Sequence, residues 1–157
     1  MELLKKRFDF YIRECGRHLE ILEKDLEVLK TFYPLNEKII RKLVREENYL
    51  RILDQIAYRF SKFQDTLGRL IKLYLLLKGE NVENAPLIDA VNLINRYGFP
   101  IDEELWWELR GLRNSLTHEY PESYDEVAQA LNRIYELLPI LNSSFEFLKG
   151  GIDKKSR

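Results

Sequence analysis

The chain has 157 residues, 45% of them apolar and 32% charged, with one cysteine and two histidines. That length fits one domain, large enough to bury a core without disulfides or metals. A formal net charge of −1 supplies no global basic field for nucleic acid, so any RNA contact has to be local.

The first segment, MELLKKRFDFYIREC, is charged throughout and has no continuous apolar run. Neither a signal peptide nor a membrane span is expected, which makes the cytoplasm the default location. From Phe8 to Tyr33 apolar residues recur at alternating spacings of four and three (Phe8, Ile12, Cys15, Leu19, Leu22, Leu26, Leu29, Tyr33), one face of a long amphipathic helix. Cys15, alone in the chain, cannot form an internal disulfide, and its place on that stripe predicts a buried, inert thiol. Pro34 and Asn36 interrupt the helix. Residues 36–47, with Ile39, Ile40, Leu43 and Val44, form either the first turns of the next helix or a short helix of their own. The run from Tyr49 to Leu77 repeats the rhythm and stops at Lys78 and Gly79.

GENVENAP reads as a loop, and Leu87, Ala90, Val91 and Ile94 as a short helix closed by Gly98 and Pro100. Residues 102–118 read as a helix whose core face is Leu105, Leu109, Leu112 and Leu116, ended by Pro121. Ser123 with Glu126 forms a capping-box pattern that opens a last helix carrying Val127, Leu131, Ile134 and Leu138. Pro139 is expected to end or kink that helix, and residues 150–157 to form a flexible tail after a single domain spanning 1–149. With no strand signal, the predicted class is all-α, an antiparallel up-and-down bundle of four to five helices.

The stretch RGLRNSLTHEYPE concentrates Arg110, Arg113, Asn114, His118 and Tyr120 in a chain with only two histidines. At about 100° per residue Arg110, Arg113, Asn114, Thr117 and His118 lie off the leucine sector, together with Trp106 and Trp107, while Tyr120 falls near its edge. Tryptophans off the core stripe are expected to be covered by another surface. A two-fold homodimer meeting at Trp106, Trp107 and Gly111, where the glycine permits close approach, accounts for them. Asn114 and His118 are four apart and can touch. Arg113 and His118 diverge by about 140° on an ideal helix, so their cooperation requires a loosened helix end or a site built from two subunits. A histidine titrating near ~6.5 and a permanently charged guanidinium suffice for RNA cleavage by 2′-hydroxyl attack. That chemistry needs no metal, and with His18 and His118 far apart and no cysteine cluster, a zinc site lacks ligands. The remaining polar residues read as structural: Gln64 at the core edge, Arg59 and Asp65 at the surface, and His18 as a helix-surface bystander.

Arg113, Asn114, three residues, His118, Glu119 and Tyr120 together resemble the R-x4-H-x-Y signature of the HEPN superfamily, in particular its HepT-like toxins. LIDAVNLINRYGFPIDEELWWELRGLRNSLTHEYPE resembles that family's short helix, Gly-containing turn and motif helix in order. YRFSKFQDTLGRLIKLYL looks like the long helix before them, so the resemblance covers roughly residues 49–140. It implies a homodimer in which Arg and His of both subunits line one cleft, and a metal-independent ribonuclease toxin of a type VII-like toxin–antitoxin module. The implied partner is a small nucleotidyltransferase antitoxin. Carried over, Arg113 stabilises the scissile phosphate, Asn114 orients it or the histidine, His118 is the general acid/base and Tyr120 accepts AMP from the partner; by position alone, Arg110, one turn before Arg113, is a candidate to add charge for substrate, and Gln64, beside the Phe60 and Leu67 stripe, a candidate to support the motif. Related proteins with a similar RN-x3-H-x-Y string are noncatalytic subunits that bind substrate for a two-component nucleotidyltransferase, which is the alternative function. No cofactor is implied.

Overall fold

The computed structural model describes residues 1–117 and 120–151, the side chains of 120 and 121 excepted. These residues form six α-helices and no strand: α1 Glu2–Leu29, α2 Glu37–Leu43, α3 Glu47–Leu77, α4 Leu87–Arg96, α5 Glu103–Leu116 and α6 Tyr120–Gly151. The protein is an all-α bundle. No described helix is long and apolar enough to cross a membrane.

Residues 36–48 resolve into a separate short helix and a turn, because the Asn36 carboxamide caps α2 by accepting from the Ile39 amide at 2.9 Å. Asn132 of α6 fixes the preceding loop, accepting from the Leu35 amide and donating to its carbonyl, both at 2.8 Å. Gly79 and Gly98 take φ of +90° and +104°, the left-handed conformation that ends α3 and the turn after α4.

Long helices α1, α3, α5 and α6 make the bundle, each antiparallel to the next. Tyr11 meets Arg69 and Asp25 meets Gln55 across α1 and α3, while Gln64 meets Leu109 and Asp65 meets Arg113 across α3 and α5. Arg133 of α6 grips Glu108 of α5 through two bonds, 2.6 and 3.1 Å, and the Tyr135 hydroxyl donates to the Leu26 carbonyl of α1. The stripes read from the sequence supply the core: Phe8, Cys15, Leu19, Leu22 and Leu26 from α1, and Ile56, Phe60, Phe63, Leu67 and Leu70 from α3. Cys15 is buried in it, and burial pushes its thiol up to about 12, beyond reach of neutral-pH chemistry.

Two boundaries differ from expectation. Helix α6 continues through Pro139 to Gly151, so the proline does not end it and the expected tail loses Gly150 and Gly151 to the helix; residues 152–157 lie outside the described residues. The non-helical residue inside α6 is Ser123 (φ −141°, ψ 25°), the position at which the capping-box pattern opens the last helix.

A polar layer crosses the α1–α3 interface. Gln55 donates to both Asp25 oxygens at 3.0 and 2.8 Å, and Arg59 Nη1 lies 2.9 Å from His18 Nδ1. His18 is therefore no surface bystander; it is 7% exposed, and Arg59 is half-buried against it. A lone histidine between charged neighbours reads as surface when the residue facing it from another helix is not known. Burial first, and the Arg59 charge second, hold the His18 imidazole below its ordinary value. The unfolded chain thus takes up this proton at higher pH than the folded one, so stability is full above ~6.5 and declines as pH falls below it. By pH 5.5 the loss reaches at most about 1.4 kcal/mol, or about 3–5 °C in Tm. Thermal melts of the wild type and His18→Gln at pH 7.5 and 5.5 are expected to show this acid-side drop only in the wild type. Asp25, raised by burial, acts with the opposite sign and in the lower carboxylate range.

Candidate functional site

Helix α5 is clamped from three sides, which fixes where its last turn points. Asp102 caps its start by accepting from the Leu105 amide at 2.9 Å, and Arg133 holds Glu108 from the α6 side. From α3, buried Gln64 donates to the Leu109 carbonyl at 2.7 Å. In an α-helix that carbonyl also receives the amide of the residue four later, here Arg113, so Gln64 reinforces the turn that carries the motif arginine. Its own oxygen is buried without a partner among the described residues.

Arg113 lies at the boundary between core and surface, its Nη1 2.8 Å from Asp65 Oδ1. Asp65 is exposed as expected, but as the fixed counter-ion of the motif arginine it carries a role that no sequence pattern marks, because the two lie 48 positions apart. Arg110 and Asn114 are exposed on the outward side of the helix, and Thr117 closes it, its amide and hydroxyl both donating to the Asn114 carbonyl. His118 and the Tyr120 side chain lie outside the described residues.

The two tryptophans separate. Trp106 is 3% exposed and packs inside its own chain, its ring next to Gly68 of α3, so it is not left for a partner to cover. Leu105 and Leu112 are only partly buried, and the core face of α5 is centred on Leu109 and Leu116 and turned toward Trp106. The leucine-only stripe pointed elsewhere because a glycine on the facing helix opens space for an indole, which one helix's periodicity does not reveal. Trp107 is 54% exposed, and a side chain built on Gly111 meets no atom within 4 Å. These two keep an outward face on α5 beside Asn114.

A groove of about 670 Å³ runs between α1 and α5 over the surface of α3. Its floor is Tyr58, Lys62, Asp65, Arg69 and Lys72, at spacings of four and three along α3. Phe10, Tyr11 and Glu14 border it from α1, Trp106 and Arg110 from α5. This second stripe of α3 is polar, so a search for apolar periodicity passes over it. Such a groove can bind an anion bearing flat apolar rings, and it adjoins the Asp65–Arg113 pair at the motif helix.

No known protein-family model matches the chain, and neither a curated protein nor a solved structure matches it.

Proposed function

We propose that this protein is a metal-independent ribonuclease of the HepT-like HEPN type, the toxin of a type VII-like toxin–antitoxin pair. The observation that carries this reading is the position of Arg113: in the last turn of α5, partly exposed, held by Asp65 at the edge of a cation-bearing groove. A surface ion pair of this kind contributes little to stability, about 0–1 kcal/mol, so a phosphate oxygen can displace Asp65 from the guanidinium at small cost.

In the proposed reaction His118 takes the proton of a ribose 2′-hydroxyl as its oxygen attacks the adjacent phosphorus. Arg113 bears the negative charge that accumulates on the phosphoryl oxygens, the bond to the 5′-oxygen breaks, and a protonated histidine returns a proton to that oxygen. The products carry a 2′,3′-cyclic phosphate and a 5′-hydroxyl. Arg113 and His118 of two copies share one cleft, and Trp107 with the open Gly111 supports the outward face of α5 as the meeting surface. A nucleotidyltransferase antitoxin that adds AMP to Tyr120 silences the enzyme by placing negative charge beside the same groups.

Incubating the purified protein with varied single-stranded RNAs in EDTA, and examining the ends, tests the activity. Cleavage with 2′,3′-cyclic phosphate ends is the expected result. Intact RNA at high protein concentration refutes the nuclease, and nucleotide binding without cleavage supports instead the substrate-binding subunit of a two-component nucleotidyltransferase.

A further inference from the structure

The chain as a whole is almost neutral, with a net charge of −1, yet the groove gathers four cations (Lys62, Arg69, Lys72 and Arg110) against two carboxylates, Glu14 and Asp65. One of those carboxylates is already engaged by Arg113. Lys62 and Arg110 have no acidic partner among the described residues, and Lys72 spends one donor on the Ala85 carbonyl at 2.5 Å, leaving two. The cations alternate with rings. The Arg69 guanidinium lies 5.4 Å from the centre of the Tyr11 ring, and the Lys62 ammonium 5.6 Å from that of Tyr58. Phe10 and Tyr58 remain 48% and 53% exposed, large aromatic surfaces at the groove.

From Tyr58 to Lys72 the floor rises fourteen residues along α3, about 21 Å at the α-helical rise. That is a track longer than one mononucleotide. A cation-lined trough with exposed rings is the arrangement that binds unpaired strands, the cations following the backbone phosphates and the rings stacking on bases. A duplex keeps its bases stacked on one another and cannot offer their faces to Phe10 or Tyr58.

From these observations we infer that the α1–α3–α5 groove is a binding track for an unpaired RNA strand, which it leads along α3 to Arg113. The assignment of an unpaired polynucleotide comes from the groove; that its sugar is ribose rests on the ribonuclease reading above. The antiparallel packing sets the geometry. Lys72 and Trp106 mark the far end, Tyr58 and Lys62 the end nearest the C-terminus of α5, with the Asp65–Arg113 pair between them. The groove thus binds substrate by residues outside the R-x4-H-x-Y string and selects single-stranded regions over helices.

Fluorescence anisotropy with a labelled 12-nucleotide RNA, single-stranded or annealed to its complement, tests this in full-length His118→Ala protein, so that binding is read without cleavage. The single strand is expected to bind at least about tenfold more tightly than the duplex. Lys62→Glu with Arg69→Glu is expected to weaken single-strand binding by more than about tenfold, and Lys62→Ala with Arg69→Ala to reduce the slope of log affinity against log salt by about 1.4, two phosphate contacts at ~0.7 each. Tyr58→Ala is expected to cost about tenfold through lost stacking. Lys24→Glu with Arg45→Glu makes the same charge change on exposed positions outside the groove and is expected to leave affinity within about twofold. Circular dichroism checks that each variant folds. Equal binding of the duplex, or equal losses in the groove and control charge reversals, overturns the track. So does a groove reversal that splits a dimer in light scattering, since the face is then a protein interface. Cleavage by the wild type with unchanged binding in the groove variants sinks the track and leaves the nuclease standing; groove-dependent binding with no cleavage by the wild type does the reverse.

Discussion

Alanine at Arg113 or at His118 is expected to lower RNA cleavage by about 10²–10⁴-fold, while thermal unfolding shifts by no more than about 4 °C. The kinetic side follows from the chemistry, since removing a general acid/base or a charge-stabilising donor each costs in that range. For Arg113 the stability side follows from the geometry. Arg113 contributes an ion pair to half-exposed Asp65 and nothing to the apolar core, and such pairs are worth about 0–1 kcal/mol, or up to about 4 °C for a chain of this size. Lysine at 113 is expected to restore little activity, because a point charge does not reproduce the planar fork that grips two phosphate oxygens. Single-turnover rates beside thermal melts decide the matter. If either alanine variant unfolds at room temperature, the motif is structural; if both cleave at the wild-type rate, the assignment of roles is wrong.

The adjacent tryptophans are expected to behave oppositely. Trp106→Ala removes a ring that is 3% exposed and seated beside Gly68, leaving a cavity between α3 and α5, and is expected to destabilise the fold by about 3–5 kcal/mol, lowering Tm by about 6–20 °C. Trp107→Ala, at a position 54% exposed, is expected to change stability by less than about 0.5 kcal/mol and to weaken self-association instead. Gly111→Trp meets open space within one chain, so it is expected to fold and to block pairing of copies. Calorimetry and light scattering on the three variants separate the effects. A Trp107→Ala protein that stays as dimeric as the wild type removes the outward face of α5 from the interface.

Much of the fold is legible because its long helices carry clean three-and-four stripes, and on α1 and α3 those stripes form the core almost residue for residue. Burial within one helix is a local property, readable from one helix's periodicity. What escaped depends on two helices at once. Trp106 is buried because α3 offers Gly68; His18 is buried because Arg59 faces it; Asp65 matters because Arg113 meets it from another element. Arg113, Arg110 and Asn114 stand out through a string of residues along one helix, whereas the groove beside them is written across three. Pro139, expected to end or kink the last helix, does not end it: α6 runs on to Gly151, with Arg133 and Tyr135 one to two turns earlier tied to α5 and α1.

The polar layer between α1 and α3 has a consequence for alignment. Two helices whose apolar residues repeat every three and four positions fit nearly as well after one slides past the other by seven residues, about 10.5 Å, because leucine again meets leucine or phenylalanine. Such a slip strands Asp25 away from Gln55 and His18 away from Arg59, each buried and left without its partner. Only one vernier setting satisfies all four side chains. The same setting brings Tyr11 against Arg69, and with it Phe10 to the rim of the groove. Buried Asp25 and His18, with the partners that meet them from α3, therefore act as an indexing pin: they stop two self-similar helices at the one offset that assembles the surface.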